Sequence, residues 1–180
     1  MVANPFEMFG LPAEFPLDLR VLEQRYRDLA RMLHPDRYVR ASAQERQAAL
    51  ARAVDVNEAY ATLRDELSRA STLLRLAGRV YDSETTSQSD PEFLMTVMEI
   101  REELATARDD ADDARIAALS AETRKEEQRV RDALTEAMAK SAWLRAEQEL
   151  GKLRYYHRFR EEVRDIEEER EEARLFSPGR

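Results

Sequence analysis

An all-α fold is what this sequence predicts, on three observations. Charged residues make up 37% of the chain while Gly (4) and Pro (6) are scarce, the composition of long solvated helices rather than of sheets or disorder. Over several stretches the apolar residues recur at alternating steps of three and four, the spacing of a helix face. At 180 residues and 43% hydrophobic, the chain can bury the core of one ordinary domain or two small ones.

The first helix spans residues 19–33. Leu19, Leu22, Tyr26, Leu29 and Leu33 form its apolar stripe, and Asp18 stands before it as an N-cap. Pro35 drives the residue before it out of the helical region, so the helix ends near Leu33 and a loop runs from His34 to about Ala43. A second helix, 44–63, is read from Leu50, Ala53, Val54, Asn57, Tyr60 and Ala61, and a shorter one, 66–77, is stopped by Gly78. These helices pack as an antiparallel hairpin with short flanking helices. The polar stretch from Tyr81 to Pro91 has no periodicity and ends in Asp-Pro, a linker signal. The predicted division is residues 1–77, a linker at 78–91, and a second domain at 92–180. Helices at 91–109, 114–139 and 142–174 make that second domain a three-helix bundle.

Composition also excludes several function classes. With no Cys there is no disulfide, thiolate metal site or cysteine nucleophile, and two isolated His residues do not make a zinc site, so no cofactor is expected. No apolar run approaches the roughly 20 residues that cross a bilayer, and the start lacks a secretory pattern, which predicts a cytoplasmic protein with no membrane partner. Residues 1–77 carry 11 Arg and 11 acids, so the net charge of −8 lies wholly in 78–180, with 18 basic and 26 acidic residues. A chain with pI near 5.0 is poorly suited to nucleic acid, whose binding draws on phosphate neutralisation.

Two features stand out against this background. At roughly 100° per residue, Arg20, Arg27 and Arg31 fall within about 40° of one another, away from the apolar stripe, and lead into His34-Pro35-Asp36-Arg37. Residues 20–40 hold six Arg against three acids, which implies an acidic protein surface as partner. Taken alone, the tripeptide is equally well a local turn in which Pro35 stops a helix, Asp36 caps and His34 packs. The second feature is the helix starting at Pro91. Phe93, Val97, Ile100 and Leu104 share the face that docks it, whereas Leu94, Met95 and Met98 lie on another arc with Glu99 and Glu102. That carboxylate-edged apolar patch either packs on the first domain or meets a partner, a role to which flexible Met is suited. Trp143 reads as a core anchor, and His157 as structural, with no partner carboxylate beside it in the sequence.

Phe9-Gly10-Leu11, Tyr26-Arg27-Asp28-Leu29-Ala30, His34-Pro35-Asp36-Arg37 and Asn57-Glu58-Ala59-Tyr60-Ala61-Thr62-Leu63 match, in order and spacing, the J-domain of DnaJ-type co-chaperones. Arg69-Ala70, Leu73-Leu74, Gly78, Phe93-Leu94-Met95 and Arg101-Glu102-Glu103-Leu104 narrow this: over residues 4 to 170 the chain resembles the HscB (Hsc20, Jac1) family of iron-sulfur cluster co-chaperones. The resemblance implies an L-shaped molecule of a J-domain and a C-terminal three-helix domain. It implies that His34, Pro35 and Asp36, with Arg20, Arg27, Arg31 and Arg37, bind an HscA-like Hsp70 of the DnaK family and stimulate its ATPase. It further implies that Leu94, Met95, Met98, Glu99, Glu102 and Tyr155 bind an IscU-like iron-sulfur scaffold. Arg37 stands where Lys is common in the wider family, and Thr106 where relatives carry an acid. No chemistry is expected on the chain itself. The competing readings are a J-protein serving another client, a structural helical adaptor, and a hydrolase pairing His34 with Asp36, which no nucleophile or phosphate loop accompanies.

Overall fold

The computed structural model describes residues 4–79 and 90–176, and among them it contains seven α-helices, one 3-10 turn and no strand. The helices are α1 (Pro5–Met8), α2 (Leu19–Met32), α3 (Ala43–Arg64), α4 (Glu66–Leu76), α5 (Pro91–Asp109), α6 (Asp113–Ala139) and α7 (Trp143–Phe176), with the 3-10 turn at Pro35–Tyr38. The chain falls into two compact units, Met1–Val80 and Tyr81–Arg180. The predicted linker at 78–91 lies mainly on residues 80–89, outside the described residues.

Local chemistry sets the helix ends of the first unit. Asp18 accepts hydrogen bonds from the Arg20 and Val21 amides, as its place before the stripe predicts. The start of α3 is fixed by a signal missed in the sequence, a reciprocal capping box between Ser42 and Glu45 that satisfies two amides at once. Gly10 (φ +60) and Gly78 (φ +76) reverse the chain where α1 and α4 stop, each followed by a bond from the next amide to a carbonyl five residues back.

The core of this unit gathers Phe6, Phe9, Phe15, Leu22, Val56, Leu63 and Leu74. Tyr26 stacks on Tyr60 with ring centroids 4.1 Å apart and donates its hydroxyl to Asn57 Oδ1 at 3.0 Å, which sets the register of α2 against α3. Two expectations need correcting. Leu19 is 47% exposed, and α3 buries Ala49, Val56, Ala59 and Leu63 rather than the face through Leu50 and Val54, which are 64% and 48% exposed. The buried set is shifted by about one residue, roughly 100° of helix, because two of its four members are alanines that carry little hydrophobic signal. Arg69, buried between α3, α4 and the segment before α2, donates to the Phe15 carbonyl (3.0 Å) and the Leu63 carbonyl (2.6 Å) with its guanidinium over the Phe15 ring. Desolvation pulls its pKa down, opposed by Glu66 and Asp65.

In the second unit α6 and α7 pack along their lengths and α5 lies against both, around Leu104, Ala107, Ile116, Leu119, Phe159, Val163 and Ile166. Both turns use non-glycine residues in the left-handed region, Ala111 and Ser141, each at φ +53. Arg170 secures the first of them: its guanidinium pairs with Asp113 and donates to the Ala107 (3.3 Å) and Arg108 (2.9 Å) carbonyls at the end of α5. Deep in the α6–α7 seam, Glu127 meets Arg131 at 2.6 Å, Arg160 at 3.4 Å and His157 Nε2 at 3.4 Å. His157 therefore does have a carboxylate partner, one 30 residues earlier on the neighbouring helix. Trp143 is half-buried at the first residue of α7.

Candidate partner-binding surfaces

In the first unit, the end of α2 and the turn after it form one exposed surface. Leu33 closes α2, and His34, extended as a residue before proline must be (φ −60, ψ 133), starts the turn. The His34 Nδ1 accepts from the Asp36 amide at 3.3 Å. The Asp36 carboxylate lies 3.5 Å from the same Nδ1, yet the side chains of His34 and Asp36 are 59% and 86% exposed. The turn is thus preformed and stands in solvent rather than being packed into the fold. The Tyr38 hydroxyl, donating to the Met32 carbonyl at 3.5 Å, ties it back to α2.

Arg20, Arg27, Arg31 and Arg37 are all exposed. Arg27 pairs with Glu23 and Arg31 with Asp28 (3.6 Å) within α2. Exposed pairs of this kind contribute only about 0.3–0.5 kcal/mol, so a partner's carboxylates can displace them. Arg20 and Arg37 make no ion pair among the described residues. Sequence reasoning missed the apolar flanks of the turn, Met32 and Val39, which are 51% and 69% exposed.

The second surface is on α5. Asp90 caps this helix by accepting from the Phe93 amide at 3.0 Å, and Lys152 of α7 meets the same carboxylate at 2.8 Å while lying over the Phe93 ring. The lysine contact and the amide bond hold the Asp90 carboxyl below the usual carboxylate range. With its start fixed to α7, α5 turns Leu104 and Ile100 into the core, as its pattern predicts, and half-buries Phe93 and Val97. The opposite arc stays open. Leu94 is half-buried, Met95 and Met98 are 64% and 70% exposed, and Glu99 and Glu102 are exposed beside them.

Tyr155 joins this ledge from α7. Its hydroxyl donates to the Val97 carbonyl at 3.4 Å, and its ring meets Phe93 and Tyr156 edge-on at 5.6 and 5.5 Å. Burial pushes its phenol up, so the group remains a neutral donor. Past Glu102 an open groove continues between α5 and α6, lined by Glu103, Asp110 and Asp112 and by Arg115, which pairs with Glu103. Thr106 contributes no charge there and turns its hydroxyl to the Glu102 carbonyl. Among the described residues no group of His and carboxylate side chains is arranged to hold a metal ion, and no helix is long and apolar enough to cross a membrane.

Comparison with known proteins adds a second line of evidence. Residues 89–164 match the family model described as the HSCB C-terminal oligomerisation domain. The chain is 37% identical over 166 residues to a co-chaperone protein HscB homolog of Haemophilus influenzae, covering 92% of this chain and 95% of that protein. A second co-chaperone protein HscB homolog, from Bordetella parapertussis, is 47% identical over 131 residues, 73% of this chain and 76% of its own length. Among solved structures, the chaperone HscB from Vibrio cholerae superposes with a TM-score of 0.82 at 36% identity, covering 93% of this chain and 99% of that one.

Proposed function

Since this chain belongs to the HscB family of co-chaperones, we propose that it is a non-enzymatic adaptor joining an HscA-like Hsp70 to an IscU-like iron-sulfur scaffold. The N-terminal unit acts as the J-domain. It docks the arginine face of α2 on the acidic surface of the Hsp70 and presents His34, Pro35 and Asp36 to the nucleotide machinery. Stimulation arises because the J-domain binds the hydrolysis-competent arrangement of the Hsp70 more tightly than its alternatives, so the rate gain is bounded by that difference in affinity. The α5 ledge, with Leu94, Met95, Met98, Glu99, Glu102 and Tyr155, carries the scaffold. Holding both raises the scaffold's effective concentration at the chaperone and assists cluster transfer to recipient proteins in the cytoplasm.

The observation that carries this reading is the exposure of the preformed His34-Pro35-Asp36 turn at the end of the arginine face. The hydrolase alternative gains no support: the His34 and Asp36 side chains are 59% and 86% exposed, an open solvated pair rather than an enclosed dyad. The electrostatic part is tested by reversing Arg20, Arg27 and Arg31 to Glu and titrating the chain against ATP-bound Hsp70. The concentration for half-maximal ATPase stimulation should rise about tenfold or more at low salt, and the difference should narrow as salt is added. An unchanged titration would remove the ridge from the interface.

A further inference from the structure

The ledge has a cationic edge as well as an acidic one. Arg101 lies seven residues after Leu94, so the two fall within about 20° of one another on the helix, with Glu102 and Glu99 roughly 100° and 160° further round. The Arg101 guanidinium sits 5.8 Å from the centroid of the Tyr155 ring. That ring is fixed by its bond to Val97 and by its edge contacts with Phe93 and Tyr156, so the cation rests on a rigid aromatic support. Other arginines of this unit, Arg108, Arg115 and Arg170, are each paired with a carboxylate from another helix or turn. Arg101 makes no ion pair among the described residues and is exposed.

We infer that Arg101 is a specificity-determining residue of the ledge: it reads a carboxylate on the scaffold and so fixes which way round that protein docks. The inference rests on the proposed docking of the scaffold at the ledge. An apolar strip through Leu94 and Met98 supplies adhesion but no direction. A positive edge on the Tyr155 side and a negative edge at Glu99 and Glu102 admit a partner with an acidic group at the first and basic groups at the second. The reversed pose sets like charges together, and such juxtapositions are strongly rejected.

The experiment is calorimetric titration of the full chain with cluster-free IscU-type scaffold, comparing Arg101→Gln, Arg101→Glu and Met98→Ala with the unaltered protein. Arg101→Gln should weaken binding about fivefold and Arg101→Glu about thirtyfold, both less at high salt, with thermal unfolding unchanged. One Asp→Lys or Glu→Lys variant of the scaffold should restore binding to Arg101→Glu, which a merely structural arginine would not allow. If Arg101→Glu binds with unaltered affinity while Met98→Ala is weakened, the role of Arg101 is overturned and the docking site stands. If the unaltered chain does not bind the scaffold at all, the docking site falls and takes this inference with it.

Discussion

On the proposed function, His34→Gln should abolish stimulation of the Hsp70 ATPase while leaving the fold intact. The loss is large because the turn is asked to supply most of the coupling between docking and hydrolysis, for which about 1–3 kcal/mol, or 5- to 150-fold, is the ordinary range. The fold should survive because the His34 side chain is 59% exposed and its contacts, with the Asp36 amide at 3.3 Å and the Asp36 carboxylate at 3.5 Å, stay within the turn. Substitutions at such sites usually shift stability by no more than about 0.5 kcal/mol. Steady-state hydrolysis with and without the variant, together with circular dichroism and a denaturation midpoint, checks both halves. Full stimulation by His34→Gln would reduce the tripeptide to a helix stop.

The second large effect is at the ledge. Replacing Leu94, Met95 and Met98 together by Ala should weaken scaffold binding about a hundredfold or more, since these side chains lose apolar area that only a complex buries, and a few central residues carry most of an interface's energy. Met95 and Met98 are 64% and 70% exposed, so the bundle itself loses little, and the half-buried Leu94 accounts for most of any drop in stability. Binding measured by calorimetry, beside an unfolding curve, separates the two effects. Unchanged affinity would point to a different client surface.

Local signals are legible in the sequence, and long-range ones are not. The periodic stripe and Asp18 gave α2, Asp90-Pro91 gave the start of α5, and angles split the apolar residues of α5 into two arcs but left open whether the second was packed on the first domain; its exposure is a finding of the structure. The burial face of α3 was misread because Ala49 and Ala59 hide it while Leu50 and Val54 advertise the wrong side. The α5–α6 and α6–α7 turns carry no glycine: Ala111 and Ser141 take left-handed conformations, the first held by Arg170 from some 60 residues away. The pairing of His157 with Glu127 and the seat of Arg101 on Tyr155 both require knowing which turns of α7 face α6 and α5. No sequence spacing encodes that.

On the proposed function, the preformed turn of one unit and the apolar ledge of the other serve two partners in one task. The most direct measurement is the ATPase rate of the HscA-like Hsp70 with the full chain alone, with the IscU-like scaffold alone, and with both. The two-partner account predicts a rate with both that exceeds the product of the separate stimulations, and loss of that excess in the ledge variant. Separate effects that merely multiply, with the ledge variant indistinguishable from the unaltered chain, would contradict it.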